Sequence, residues 1–207
     1  MTDTIFEFRD YTLRPGQRET LIDLFEREFI EPQEALGARV RAIFRDLDQP
    51  DRFVWIRSFA DAQSRFAALD GFYTGPVWQK HRAAANATII DSDNVMQLRP
   101  VSGSLERPAG APFVSTAYFL KSNSEADFIA CFQRDIVPTL GANAPFATFV
   151  TEHAPNAYPR LPVRENETVF LTLGRAAQDA VAKDLGNMLL APPEIRRLQP
   201  TARSPLR

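Results

Sequence analysis

The two halves of the chain carry the same landmarks in the same order, and this internal repeat is what most limits the possible folds. Leu98, Pro100 and Ser104 recur 100 residues later as Leu198, Pro200 and Ser204. Nearer the N-terminus the spacing is 107, which relates Tyr11, Leu13, Phe25, Arg27 and Glu28 to Tyr118, Leu120, Phe132, Arg134 and Asp135. A module of about 100 residues is an ordinary size for a small domain. We therefore predict two units, over residues 1–104 and 113–207, with a linker at 105–112.

Composition excludes several classes of protein. Hydrophobic residues make up 44% of the 207 residues, which is enough for a packed core. The formal charge of -2 gives no basic footprint for nucleic acid or an anionic membrane surface. The single cysteine, Cys131, forms no intramolecular disulfide, and two histidines disfavour a structural zinc site. We expect no signal peptide, because the first residues lack a basic stretch and an apolar run. The sequence has no membrane-spanning apolar run and no glycine-rich phosphate loop. We expect a cytoplasmic protein without a bound metal.

Hydrophobic periodicity predicts the order strand, helix, strand, strand, helix, strand in the first half. The predicted strands are 5–13, 39–46, 53–59 and 95–98. The first helix carries an apolar stripe of Leu21, Phe25 and Phe29 and ends near Pro32 and Gly37. Asp61 is placed to cap the second helix, whose apolar positions include Phe66 and Leu69.

The second half repeats this order. The predicted strands are 113–120, 146–152, 168–173 and 195–198, and the helices run from Glu125 and over 178–185. Phe128, Phe132 and Ile136 lie on one face of the first of these helices. Each unit is then a ferredoxin-like α+β sheet with two helices on one face. Leaving the other face in water costs about 25 cal/mol per Å². We therefore predict that the two antiparallel sheets pack into an intrachain α/β barrel of the dimeric type.

Four segments resemble one known family. Residues 6–16 (FEFRDYTLRPG), 52–59 (RFVWIRSF), the stretch from 76 to 95 and the C-terminal 198–204 are similar to the NIPSNAP family. The resemblance implies the ferredoxin-like, dimeric α/β-barrel fold. It carries over no catalytic residues, and it implies a protein that binds a small hydrophobic or amphiphilic molecule or a protein partner. Relatives of this fold include cofactor-independent monooxygenases and haem-handling enzymes, which is the alternative function.

The halves differ at two places. Pairing Phe59 with Arg175 gives a spacing of 116, whereas Val95 and Ile195 are 100 apart. The first half therefore has 16 additional residues between its third and fourth strands. The second half has a long connection, 154–166, between its middle strands, placed to lie over a barrel mouth.

Polar strand residues mark a candidate site in the first half. If Phe6 and Phe8 face the helices, Glu7, Arg9 and Tyr11 face the barrel interior. Trp55 and Arg57 then share that interior, opposite Leu171 and Leu173 of the apolar second half. A polar wall facing an apolar wall suits an amphiphilic ligand. The alternative is an ion-pair network of Glu7, Arg9 and Arg57 that sets strand register.

The 16-residue insertion adds further candidates. Trp78 and His81 are one helical turn apart and can share a face. His81 has the chemistry of a general base or a haem ligand, although its neighbours are also those of an ordinary solvated helix. His153 is a weaker candidate, and Cys131 is most simply a small buried hydrophobe. The ligand-binding candidates are Glu7, Arg9, Tyr11, Trp55, Arg57, Trp78, His81 and Asn86. Sheet edges and helical faces further favour a homo-oligomer.

Overall fold

Strands and helices alternate along the computed structural model, which describes residues 3–106, 112–175 and 185–207. The first unit contains β1 (Ile5–Leu13), α1 (Arg18–Glu28), α2 (Ile30–Ala35), β2 (Arg39–Asp46), β3 (Arg52–Phe59), α3 (Ala62–Thr74), α4 (Pro76–Thr88), β4 (Ile89–Asp91) and β5 (Val95–Gly103). The second contains β6 (Phe113–Leu120), α5 (Glu125–Cys131), a π-helical turn (Phe132–Ile136), α6 (Val137–Leu140), β7 (Ala147–Thr151), β8 (Thr168–Gly174) and β9 (Glu194–Pro200). A helix was predicted over 178–185, and residues 178–184 of it lie outside the described ranges.

The helices of the first unit follow the predicted pattern with two differences. The first helix breaks at Phe29 and restarts as α2, where Pro32 lies in the first turn and removes no intrahelical hydrogen bond. Asp61 caps α3 as predicted, since its Oδ1 accepts from the Ser64 amide at 2.7 Å. Of the two apolar positions named in this helix, Leu69 is buried, whereas Phe66 is 46% exposed.

The insertion in the first half, which includes residues 71–82 and Asn86, lies at the end of α3 and in α4. Gly75 joins the two helices, and a Cβ there would lie 2.5 Å from the carbonyl oxygen of Gly71. This close approach requires glycine and lets α4 begin at once with Pro76, a residue that suits the first helical position.

The eight long strands close into one antiparallel barrel, as predicted. The first unit contributes the order β5-β1-β3-β2 and the second β9-β6-β8-β7. The units meet at two seams, where β2 pairs with β9 and β5 pairs with β7. The short β4, which the sequence did not predict, pairs with the end of β1 outside the barrel.

Side chains from both units fill the barrel interior. Its buried cluster combines Phe6, Phe8, Phe44, Val54, Ile56, Met96 and Leu98 with Phe113, Phe119, Phe149, Val169, Leu171, Leu173 and Leu198, among others. Separate clusters lie under the helices of the first unit and under those of the second. Each sheet is therefore buried on both faces.

Strand register confirms the repeat and corrects one part of it. Phe6 pairs with Leu98 and Phe113 pairs with Leu198, which agrees with the spacings of 107 and 100. The third strands differ, since Arg9 pairs with Trp55 whereas Thr116 pairs with Thr172. Their spacing is 172 − 55 = 117, not 116, and a slip of one residue exchanges the two faces of a strand.

The predicted orientation of β1 and β3 is therefore wrong. Phe6 and Phe8 face the barrel interior, and Tyr11 and Trp55 belong to the cluster under the helices. Glu7 and Arg9 alternate with Phe6 and Phe8, so they share the helix-facing side. Leu171 and Leu173 pack inside the barrel with Phe6 and Phe8, so Glu7, Arg9 and Tyr11 do not form a wall opposite them. The physical reason is that burial of both faces removes the polarity contrast that normally distinguishes them.

None of the helices in the described ranges is long and apolar enough to cross a membrane.

Candidate functional site

One buried carboxylate in β1 holds three arginines. Arg9 Nη1 and Arg57 Nε both donate to Oε2 of Glu7 at 2.7 Å, and Arg65 Nε donates to Oε1 at 2.7 Å. Glu7 and Arg57 are directly opposite on neighbouring strands, whereas Arg65 comes from α3. The four charged side chains are at most 2% exposed. The ion pairs of the alternative interpretation are therefore present, under the helices.

The charges in this cluster do not balance. Burial by itself would raise the pKa of Glu7, but the three guanidinium groups outweigh it and hold that pKa far below its ordinary value. Burial lowers the pKa of Arg65, and repulsion from Arg57 and Arg9 opposes the pull of Glu7. Three positive charges against one negative charge leave an excess of two in a buried region.

Arg9 extends from this cluster towards an aromatic wall. Its Nε donates to the Tyr11 hydroxyl at 2.8 Å, and its guanidinium carbon lies 5.4 Å from the Tyr11 ring centre and 5.5 Å from that of Trp55. Burial would lower the pKa of Arg9, but Tyr11 and Glu7 outweigh it and raise that pKa. Burial raises the pKa of Tyr11. Arg9 is therefore a permanent cation with a neutral phenol beside it.

A cavity of about 270 Å³ opens next to Arg9, between the sheet and the helices of the first unit. Nine aromatic residues line it: Tyr11, Phe25, Phe29, Phe53, Trp55, Phe72, Tyr73, Trp78 and Tyr158. Most neighbouring rings meet at steep angles, as Phe25 and Trp55 do at 4.7 Å between centres. These contacts fix the wall in place. The cavity is thus a preformed apolar space with one buried cation at its edge.

The second half of the chain completes this cavity. Tyr158, Arg160 and Leu161, all from the connection between β7 and β8, line it. Arg65 Nη1 donates to Oδ1 of Asn156 at 3.0 Å, so the ion cluster itself anchors the connection. The connection was predicted to cover a barrel mouth. Residues 158–161 lie on the helix side of the first unit, whereas the Arg164 guanidinium lies 4.8 Å from the ring centre of Phe119, which belongs to the barrel interior.

The rim of the cavity is also positive. Arg82 in α4 and Arg160 are both exposed, and neither has an ion-pair partner within the described ranges. Among the described residues that line the cavity, three are arginines and none is acidic. The Glu7 carboxylate is not in contact with the cavity.

The structure brings five of the eight candidate residues to this cavity. Arg9, Tyr11, Trp55, Trp78 and Asn86 line it. Glu7 and Arg57 lie behind Arg9 in the ion cluster. Each of the five is therefore in a position to contact a ligand, while the other two strand residues set the position and charge of Arg9.

His81 shares a face of α4 with Trp78, as predicted, since both rings contact Phe29. Its Nε2 lies 3.4 Å from Oε2 of Glu28, and the residue does not line the cavity. His153 pairs with Glu125 at 2.6 Å on the second unit. Neither histidine is positioned to ligate a haem in this cavity, so the residues present do not fit that cofactor.

Sequence reasoning missed Gln33, Arg65 and Tyr158. Gln33 in α2 accepts from Arg57 Nη1 at 3.0 Å and lines the cavity. Arg65 precedes the buried Leu69 and Phe72 by four and seven residues, so helical spacing already places it on the buried face of α3. No comparable signal marks Tyr158, whose position depends on how the long connection folds back. Within the described ranges, no three histidine, cysteine, aspartate or glutamate side chains are grouped as metal ligands.

Fold and site define the class of the protein: a closed α/β barrel of two ferredoxin-like units, with a ligand-sized cavity under the helices of the first. Two solved structures have this fold along nearly their whole length, and both carry the name "putative monooxygenase". The protein from Fusobacterium nucleatum is 10% identical, covers 97% of this chain and 94% of its own, and gives a TM-score of 0.63. The protein from Lactobacillus acidophilus is 12% identical, covers 96% of this chain and 94% of its own, and gives a TM-score of 0.59.

The family model described as NIPSNAP matches residues 6–105. This confirms the resemblance drawn from the first unit. An uncharacterized NIPSNAP-like domain protein from Burkholderia xenovorans is 25% identical, covers 50% of this chain and 90% of its own, and gives a TM-score of 0.45. No curated protein matches the sequence significantly.

Proposed function

We propose that this protein binds a small amphiphilic organic molecule in the cavity of the NIPSNAP unit. The observation that supports this most strongly is the combination of nine aromatic residues and a buried arginine around one preformed space. The volume of about 270 Å³ is near the lower end of small-molecule sites, which run from roughly 300 to 1,000 Å³. The preferred ligand is therefore compact, with an apolar body and a polar group that reaches Arg9.

Native mass spectrometry of the protein from its own host tests this proposal. The Ala85→Leu variant adds three carbons at a buried position that lines the cavity. Ala83→Leu makes the same change at an exposed position of α4 and serves as the control. We expect a retained small molecule with the wild-type protein and with Ala83→Leu, and its loss from Ala85→Leu. Equal retention of the molecule by the wild-type protein and both variants would show that the ligand binds outside this cavity.

A second measurement covers a ligand that dissociates during purification. Both tryptophans of the chain, Trp55 and Trp78, line the cavity. Their emission therefore reports on anything that enters it. Titration with 4-butylbenzoate and with its neutral amide, 4-butylbenzamide, should change that emission. No retained molecule and no response to either compound would contradict the proposed function.

The alternative is that the bound molecule is oxidised without a cofactor. One feature favours this: the Arg9 cation at the cavity stabilises a phenolate, the electron-rich form of a phenol. Oxidation of a phenol to a quinone by O₂ places one oxygen atom on the ring and releases the other as water with two hydrogens. Oxygen uptake with a panel of electron-rich phenols, reduced by Arg9→Met, supports this function. No uptake across the panel counts against it.

Three further proposals concern the whole chain: the division at 1–104 and 113–207, a cytoplasmic location and self-association. Both long sheet edges are paired within the barrel, so sheet edges no longer support self-association. The helical faces still support self-association, since Leu36 and Phe66 are large exposed hydrophobic residues on or beside the helices of the first unit. Analytical ultracentrifugation at several concentrations tests this, and a monomer throughout would contradict it.

A further inference from the structure

The region beside the cavity holds more positive charge than its surroundings neutralise. Glu7 neutralises one of three buried arginines, and no carboxylate occurs among the described residues that line the cavity. A buried charge without a partner is costly, and an anion bound next to it removes part of that cost. The surplus therefore favours a negatively charged ligand over a neutral or cationic one.

Hydrogen-bond donors at the cavity also lack partners. Arg9 uses Nε and Nη1 for Tyr11 and Glu7, and no described residue accepts from its Nη2. The indole nitrogen of Trp55 and the hydroxyl of Tyr158 are both buried without a hydrogen-bond partner. Trp55 and Tyr158 are 2% and 3% exposed, and both line the cavity. Buried donors in native proteins are normally satisfied. Among the buried side-chain atoms without a partner, these two belong to residues that line the cavity, so an acceptor bound there is able to satisfy them.

We propose that the ligand is a carboxylate with a compact apolar body, its carboxylate oxygens held by Arg9 with Trp55 and Tyr158. This inference rests on the proposed function and names the chemical class of its ligand. Charge-assisted hydrogen bonds from a guanidinium to a carboxylate are short and strong. The aromatic wall of Phe25, Phe29 and Phe72 then receives the apolar body.

The shape of the site favours a carboxylate over inorganic phosphate. A free phosphate is hydrated on every side and gains nothing from an aromatic wall. A carboxylate on an apolar body places its charge at Arg9 and its hydrocarbon against the rings. The exposed Arg82 and Arg160 at the rim add attraction during entry, since like-signed charges around a cleft raise the association rate of an oppositely charged ligand.

The test compares the matched pair 4-butylbenzoate and 4-butylbenzamide by isothermal titration calorimetry at pH 7. The two compounds differ only in charge and in one polar atom. We expect the carboxylate to bind the wild-type protein at least about 10-fold more tightly than the amide, the ratio expected for a hydrogen-bonded charge. Equal affinities would overturn the carboxylate proposal while leaving cavity binding intact. Binding of neither compound would overturn the carboxylate proposal, and without a retained molecule in the mass spectra it would contradict the proposed function as well.

Two variants locate the carboxylate. Arg9→Met keeps the apolar stem of the side chain and removes its charge. Glu7 still has Arg57 and Arg65, so we expect a folded protein that has lost the preference for the carboxylate. Tyr158→Phe removes one hydroxyl and should weaken carboxylate binding about 3- to 10-fold while leaving amide binding unchanged. Arg134→Met, at an exposed position of the second unit, is the charge control. Retention of the full preference in both Arg9→Met and Tyr158→Phe would overturn the assignment.

Discussion

At the scale of single residues, Glu7 organises the site. It is fully buried and receives hydrogen bonds from three arginines: Arg9 of its own strand, Arg57 of the neighbouring strand β3 and Arg65 of the helix α3. The carboxylate therefore ties sheet and helix together and fixes the position of Arg9 at the cavity. Replacing a buried ion pair by apolar groups can be neutral, whereas removing one partner leaves uncompensated charge.

This asymmetry predicts the effect of Glu7→Gln. The amide is nearly the same size but leaves three buried guanidinium groups without an anion. We expect the free energy of unfolding to fall by about 3–5 kcal/mol, the usual cost of breaking a buried ion pair. Urea denaturation measures it. Glu34→Gln on the exposed side of α2 is the control and should change stability by less than about 0.5 kcal/mol. A loss below about 1 kcal/mol in Glu7→Gln would show that the ion cluster contributes little to the stability of the fold.

Acid should remove the same stabilisation. The pKa of Glu7 is lower in the folded chain than in the unfolded one, so the unfolded chain binds more protons in acid. Its contribution is fully present above the unfolded carboxyl pKa of about 4.3 and declines as the pH falls below that value. The stability difference between the wild-type protein and Glu7→Gln should therefore shrink from pH 5 towards pH 2. A difference that stays constant over this range would contradict the assignment of a charged Glu7.

At the scale of secondary structure, the sequence predicts the elements better than their faces. The bounds of β1 and β2 match the prediction, because each strand has clear alternation and a turn after it. Alternation in β1 does not reveal which side faces the barrel, since Phe6 and Arg9 are both buried. A β-bulge between Val40 and Ala42 reverses the faces within β2, and local pattern does not show it.

The connection between β7 and β8 shows a second limit of prediction from the sequence. Its length marked it as functional, yet its placement depends on Asn156, which bonds Arg65 of the other half and the Leu161 carbonyl. These partners are distant in the sequence or belong to irregular backbone. Tertiary contacts of this kind leave no periodic signal in the sequence.

Asn156→Ala tests whether this residue holds the connection over the cavity. The variant loses the bond from Arg65, the bond to Leu161 and the contact of Asn156 Oδ1 with the Tyr158 amide, at 3.1 Å. We expect faster amide hydrogen exchange at residues 156–161 and unchanged exchange in β6 and β8. Glu165→Ala, at an exposed position in the same connection, should leave exchange at 156–161 unaltered. Unchanged exchange in Asn156→Ala would mean that the aromatic contacts of Tyr158 hold the connection alone.

At the scale of the whole molecule, the repeat folds into a single barrel with unequal halves. The two seams and the shared interior make each sheet depend on the other for burial. Only the first unit carries Arg9 and Trp55, since Thr116 and Thr172 occupy the equivalent paired positions in the second. The second unit contributes the wall of the barrel and the connection over the cavity. Duplication thus supplies the architecture, and divergence between the halves supplies the site.

This mutual dependence predicts how a cut chain behaves. The test inserts a protease site in the segment 105–112, which the proposed division assigns to the linker, and cleaves the chain after folding. We expect the two fragments to remain associated in gel filtration and native mass spectrometry, because separation would expose the apolar interior of the barrel. Unfolding should become concentration-dependent, since cleavage removes the tether and makes refolding bimolecular. The uncut variant is the control. Fragments that elute separately, each with its native circular dichroism, would show that the halves are independent domains and that the barrel seams contribute little to stability.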